Sequence, residues 1–233
     1  MIYAIRQLVS KVLPRSVKNT IVDIRDPIVA FAYHRKPQIP VPHAIKARAV
    51  INQARGHNVR VLVETGTCLG EMARKCSKHL KQIWTIELSE TLAVEAARRL
   101  ARRRNVRVLC GENSGLLPQI LAGIREPVVF WLDAHYSGGV TAKGATECPL
   151  ERELQIIAEH ACQDHIILID DVRLMGSGDY PSLDRVCELA RRINPTYRID
   201  VRDDILRCEP PENGIPSTSA GVTPADRPLL QKR

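Results

Sequence analysis

No two of the seven cysteines stand in a Cys-x-x-Cys pair, and their spacing along the chain is wide. That excludes a zinc knuckle and a thioredoxin-like motif, which both need close pairs. Buried thiols in a reducing cytosol are the plain expectation for such a set. The first residues, MIYAIRQLVSKVLPRS, lack the unbroken apolar core and small-residue cleavage site of a secretory leader, because Arg6 interrupts them early. No run approaches the roughly 18 apolar residues that a membrane span requires. These absences together predict a cytoplasmic protein. There is no internal repeat, and aromatic residues make up only 4% of the chain.

What is present is the balance of a globular protein. Over 233 residues, 44% are hydrophobic and 26% charged, enough apolar surface to offset chain entropy and exclude disorder as the main state. Charge is unequal, with 34 Lys and Arg against 26 Asp and Glu, a net +8. A basic balance invites a nucleic-acid or membrane partner, so its location matters. Residues 1–60 hold eleven bases and two acids, Asp23 and Asp26, whereas the remainder holds 23 bases and 24 acids. The surplus therefore belongs to the N-terminal segment, which argues against a nucleic-acid substrate. The Arg98–Arg104 run reads as a solvated helix face.

From Val59 onward the pattern alternates strand and helix. VRVLVE (59–64), QIWTIEL (82–88), VRVLC (106–110), PVVFWLD (127–133) and HIILID (165–170) read as five strands, and the fourth is nearly all apolar, as a central parallel strand should be. Helices are expected near 71–80, 90–103, 114–123, 149–161 and 183–193, with YRIDV (197–201) and DILRC (204–208) as a closing pair. This rhythm predicts an open, mostly parallel α/β sheet with helices on both faces. Residues 1–58 form a basic, partly helical extension with a helix near 43–55, residues 59–208 the main domain, and residues 209–233 a disordered tail rich in Pro, Ser, Thr and Gly. Ile2, Ile5, Leu8 and Val12 fall at helical spacing among basic residues, so residues 1–20 can bind an anionic membrane surface or a partner. Packing on the core or in a homo-oligomer is the alternative reading of the same stripe.

Ligands of such sheets bind at the carboxyl ends of the strands. Those ends carry ETGTCLG (64–70), Glu87, Gly111-Glu112-Asn113-Ser114, Asp133-Ala134-His135 and Asp170-Asp171. Gly66 lets the backbone approach a ligand, and Gly70 opens a helix whose amides can hold a carboxylate. Cys68 stands where a dinucleotide fingerprint needs glycine, which argues for a smaller anion than pyrophosphate. Glu87 follows Glu64 by 23 residues, the distance at which an acid commonly accepts ribose hydroxyls. An adenosine ligand with an amino-acid head satisfies both, its carboxylate at the Gly turn, its ammonium at Glu64 and its ribose at Glu87.

These segments resemble the class I S-adenosylmethionine-dependent methyltransferases, with a Rossmann-like, mostly parallel seven-stranded sheet. ETGTCLG resembles the first motif of that family and TIEL (85–88) its second. GENSGLLPQI (111–120) resembles the adenine-side segment of the catechol O-methyltransferase group, and WLDAHYSGG (131–139) and LIDD (168–171) resemble the macrocin O-methyltransferase-like branch, which modifies sugars on natural products. The resemblance covers about residues 59–208. It implies a cofactor site of Glu64, Thr65, Gly66, Thr67, Gly70, Glu87, Glu112, Asn113, Ser114 and Asp133. It also implies a divalent ion, usually Mg²⁺, on Asp133, Asp170 and Asp171, whose hard carboxylates suit Mg²⁺ or Ca²⁺. Catalytic roles fall to Asp133 and His135. The branch tends to carry an acid where this chain has His135, and an imidazole can also take a hydroxyl proton near neutral pH. The loop from Ser137 to Cys148 has the small residues of a lid. The implied activity is methyl transfer to a hydroxyl of a small molecule. Alternatives are a metal-independent methyltransferase of protein or nucleic acid, and a non-catalytic binding protein on the same fold. Asp133-Ala134-His135-Tyr136 replaces the Asn/Asp-Pro-Pro-aromatic motif of amino-methylating DNA enzymes, which argues against them. The histidines at 34, 43, 57, 79, 160 and 165 show no ligand spacing and are expected to be surface or core residues.

Overall fold

The computed structural model describes residues 26–35, 37, 39–133 and 148–211. The expectations for residues 1–20, for His135, for most of the loop after it and for the tail lie outside these residues. The chain divides into two units, Met1–Lys46 and Ala47–Arg233. In the first, residues 26–35 form helix α1, and Ala30, Tyr33, Val41 and Ile45 make a small apolar cluster. Helix α2, His43–Gly56, starts there, and its residues from Ala47 onward belong to the second unit.

The second unit is a seven-stranded sheet. Its elements run β1 Val61–Thr65, α3 Glu71–Cys76, β2 Gln82–Glu87, α4 Glu90–Leu100, β3 Val106–Cys110, α5 Asn113–Ala122, β4 Val128–Leu132, α6 Leu150–Ala158, β5 Ile166–Ile169, α7 Leu183–Ile193, β6 Arg198–Arg202 and β7 Ile205–Glu209. Strand order is β3-β2-β1-β4-β5-β7-β6, parallel except for β7, which pairs antiparallel with both β5 and β6. The expected strands and helices are all present, shifted by a few residues at their ends. Helix α4 stops at Leu100 rather than near 103, because the Arg103 amide donates to the Leu100 carbonyl and tightens the chain into a turn.

Burial explains the strand patterns. Strands β1, β4, β5 and β7 are buried throughout, since helices cover both faces. Val61, Val63, Phe130 and Ile167 pack with α5, α6 and α7 on one face, while Leu62, Val129, Trp131 and Leu168 pack with α2, α3 and α4 on the other. The sheet order reverses between β1 and β4, which makes their carboxyl ends the switch point where ligands bind. The β6–β7 hairpin turns on Asp203 and Asp204, both at positive φ (57° and 59°), the two-residue geometry that suits strand twist.

Candidate active site

The turn after β1 is built by hydrogen bonds that fold it onto β2. The amides of Gly66 and Thr67 both donate to the Ile86 carbonyl, at 3.0 and 3.1 Å, and the Thr67 and Thr85 hydroxyls meet at 2.5 Å. Gly70 sits at φ +75°, a conformation that favours glycine, and a Cβ there would lie 2.8 Å from Leu100 Cδ1, so the tip of that side chain would have to move. Glu87 is buried at the end of β2, and its carboxylate is aimed by two backbone donors, Cys68 N–H to Oε2 at 2.7 Å and Ser89 N–H to Oε1 at 2.9 Å. Each oxygen keeps a lone pair for a further donor such as a sugar hydroxyl.

Glu64 is only 2% exposed, and its Oε2 has no hydrogen-bond partner. Burial pushes its carboxyl up to about 8, opposed by the Thr85 hydroxyl and reinforced by Asp133 and Glu87. An orphaned buried carboxyl oxygen is costly, and a ligand ammonium at this end of β1 would satisfy it. The residues present therefore fit the amino-acid head of S-adenosylmethionine.

On the other side of the switch point, the amides of Asp133 and Asp170 continue the ladder, donating to the Thr65 and Leu132 carbonyls at 3.2 and 3.1 Å. Asp133, Asp170 and Asp171 bring carboxylate oxygens within 4.8 Å of one another. Asp171 stands at φ +56°, its amide donating to Asp170 Oδ1 at 2.9 Å. This set of hard oxygens fits a divalent cation. One feature competes with it: the Arg173 guanidinium donates to Asp171 Oδ1 at 2.6 Å and also to Asp204 Oδ2. Asp171 is thus a ligand candidate with one oxygen already engaged.

Beside these acids lies a small open cleft whose lining includes Asp133, Cys148, Glu153, Asp170, Met175 and Tyr180. Glu153 was not a sequence candidate. It comes from the first turn of α6 rather than from a strand end, is 2% exposed, and accepts from Asn113 Nδ2 at 2.7 Å. Burial pushes its carboxyl up to about 7. Its signal in the sequence is a charged residue in the apolar phase of Leu150, Leu154 and Ile157. Asn113, a cofactor candidate, is therefore turned toward Glu153, and the Ser114 hydroxyl lies 3.4 Å from Glu112 Oε2. The structure brings Glu64, Thr65, Gly66, Thr67, Gly70 and Glu87 together on one side of the switch point. Asp133, Asp170 and Asp171 gather on the other.

All seven cysteines are free, but they are not uniformly buried as expected. Cys76, Cys187 and Cys208 are buried, whereas Cys68 and Cys110 are exposed because they stand at strand ends, where helices no longer cover the sheet. His160 and His165 prove to be a buried pair at the opposite end of β4 and β5, with His160 Nδ1 2.9 Å from His165 Nε2.

The strand order, the single antiparallel strand and the Gly turn facing an acid on β2 define the class I S-adenosylmethionine-dependent methyltransferase fold. The sequence matches no protein-family model and no curated protein. Solved structures carry the likeness. The O-methyltransferase from Bacillus cereus, in complex with SAH, is 18% identical over 88% of this chain and 97% of that chain, with a TM-score of 0.55. The O-methyltransferase TomG from Streptomyces achromogenes, involved in tomaymycin synthesis and solved with SAM, is 18% identical over 80% and 89%, with a TM-score of 0.51. A putative caffeoyl-CoA O-methyltransferase from Staphylococcus aureus is 15% identical over 82% and 98%, also at 0.51.

Proposed function

We propose that this chain is an S-adenosylmethionine-dependent methyltransferase acting on a hydroxyl of a small molecule. The observation that carries the reading is Glu64, a buried carboxyl with an unpartnered oxygen, beside Glu87, a carboxylate aimed by two backbone amides, in the class I fold. Glu64 would take the ammonium of the cofactor, Glu87 its ribose hydroxyls, and the turn from Gly66 to Gly70 its carboxylate. The cofactor supplies a sulfonium methyl, already activated for transfer, so the protein's task is mainly orientation. Asp133 and Glu153 face the cavity where an acceptor would sit, and His135 would take the hydroxyl proton. A divalent ion on Asp133, Asp170 and Asp171 would acidify an acceptor hydroxyl.

A second reading, in which no metal takes part, is favoured by the Arg173–Asp171 ion pair, which places a cation beside the same acids. Calorimetry with S-adenosylmethionine tests the main reading. Binding should be measurable in the wild type and about 100-fold weaker in Glu87→Ala, the loss of charge-assisted bonds to two hydroxyls. Equal affinity in the two proteins would refute the placement. Titrating Mg²⁺ into wild type and Asp170→Asn decides between the two metal readings, since equal responses remove the metal site.

A further inference from the structure

The amino ends of β1, β2 and β3 carry a feature that the reaction does not use. Three loops enter these strands. Arg55, in the last turn of α2, and Arg60 flank the first, Lys78 and Lys81 lie in the second, and Arg102, Arg103 and Arg104 lie in the third. No Asp or Glu occurs in residues 55–60, 75–81 or 102–107, and Glu209 at the end of β7 reaches the first loop at His57, 3.4 Å away. The Arg102–Arg104 run does not lie on a helix face, because α4 has already ended at Leu100.

Hydrogen bonds hold the three loops together. The Lys81 amide donates to the Arg60 carbonyl at 2.9 Å, and Arg55 Nη2 lies 2.9 Å from His79 Nδ1, joining the first loop to the second. Asn105 Nδ2 donates to the carbonyls of Ser77 and Leu80 at 2.9 and 2.8 Å, joining the second to the third. The cations are therefore gathered on one built face, although up to about fifty residues separate them in sequence. The field they make is visible at His79, whose imidazole is held below its ordinary range by partial burial and then by Arg55 and Lys78.

We propose that this face docks the protein on an anionic lipid surface. Six of its seven cations are exposed, and Arg103 is half-buried. A cluster of that size adds attraction for acidic headgroups with each charge. Residues 55–60, 75–81 and 102–107 contain no Phe, Tyr or Trp, and the neighbouring Trp84 packs against the core with the Arg107 guanidinium over its ring, 4.9 Å from the centroid, so it offers unpaired bases no bare ring, which favours lipid over single-stranded nucleic acid.

Sedimentation of the full chain with vesicles tests the proposal. Binding should occur with phosphatidylcholine vesicles that contain phosphatidylserine, be absent with phosphatidylcholine alone, and weaken steeply with salt. The variant Arg102→Ser/Arg103→Ser/Arg104→Ser should lose binding by about five-fold per cation removed while its S-adenosylmethionine calorimetry stays unchanged. The single charge reversal Arg104→Glu, at an exposed turn, covers the case in which the triple variant does not fold, and should itself weaken binding several-fold. Unchanged vesicle binding in both variants overturns the proposal. So does binding that is equal on neutral vesicles. If instead a duplex RNA binds and competes with vesicles at far lower phosphate concentration, the partner is nucleic acid and the lipid assignment falls.

Discussion

The two ends of the sheet are built on opposite principles. At the carboxyl ends, Glu64, Glu87, Asp133, Glu153, Asp170 and Asp171 crowd around one region, two of them with carboxyls raised by burial, and one oxygen has no partner. At the amino ends every buried polar group of the histidine pair is satisfied in sequence. The Val128 amide donates to His165 Nδ1 at 3.1 Å, which leaves His165 Nε2 as donor to His160 Nδ1 and His160 Nε2 as donor to the Ile124 carbonyl. The same fold thus tolerates polar strain where a ligand can relieve it and removes strain where none comes.

The largest break in that contrast comes from His165→Ala. It leaves the Val128 amide unpartnered, empties space beside Phe130, whose ring centroid lies 5.1 Å away, and should cost about 3 kcal/mol. A fall in melting temperature of roughly 10 °C, with ligand affinity unchanged, is the expected result. At the other end Glu64→Gln should act in the reverse sense. It should raise stability by about 2 kcal/mol near pH 7, because the wild-type carboxyl must stay protonated there at a pH where the unfolded chain ionises it. The same change should weaken S-adenosylmethionine binding about ten-fold. A Glu64→Gln protein that melts lower and binds equally well would erase the distinction between the two ends.

Acidity separates them further. His165 is pushed down to about 4 by burial, so its stabilising contribution is present above about 6.5 and lost as pH falls toward 4. Glu64 and Glu153, pushed up to about 8 and about 7, do the opposite: their contribution is full below about 4.5 and lost as pH rises through those values. Melting profiles of Glu64→Gln should therefore lose the part of the alkaline slope that lies between about 7 and 8 and become shallower below it, where Glu153 still titrates, while keeping the acid slope. The smallest effect concerns the ion pair shared by Arg173. Removing Asp204 by Asp204→Asn should commit the guanidinium to Asp171 and lower Mg²⁺ affinity a few-fold, a change calorimetry can read.

The strands were legible in the sequence because parallel strands buried on both faces leave continuous apolar runs, as VVFWL and IILI do. Glu64 and Glu87 were legible for a related reason, since a strand end fixes where its last acid must point. Glu153 was not, because a charged residue in the apolar phase of a helix reads equally as a local irregularity. Arg173 and Asp204 lie 31 residues apart, and no local pattern joins them. The basic face escaped for the reason that totals conceal arrangement. A main domain close to neutral in sum still gathers acids at the carboxyl ends of β1, β2, β4 and β5 and a local cluster of cations at the amino ends of β1, β2 and β3.

The reversed strand β7 has a topological effect beyond closing the sheet. Because β6 runs toward the carboxyl ends before the chain turns, the hairpin tip delivers Asp203 and Asp204 to the level of Asp171. There Asp204 Oδ1 accepts the Arg173 amide at 2.8 Å, and its carbonyl accepts the Val172 amide at 3.1 Å. The acid set is in this sense a joint product of the parallel half of the sheet and the hairpin that follows it in the chain. A nascent chain that has completed β5 holds all three aspartates in its sequence, yet Asp171 gains its brace only when the hairpin has been made.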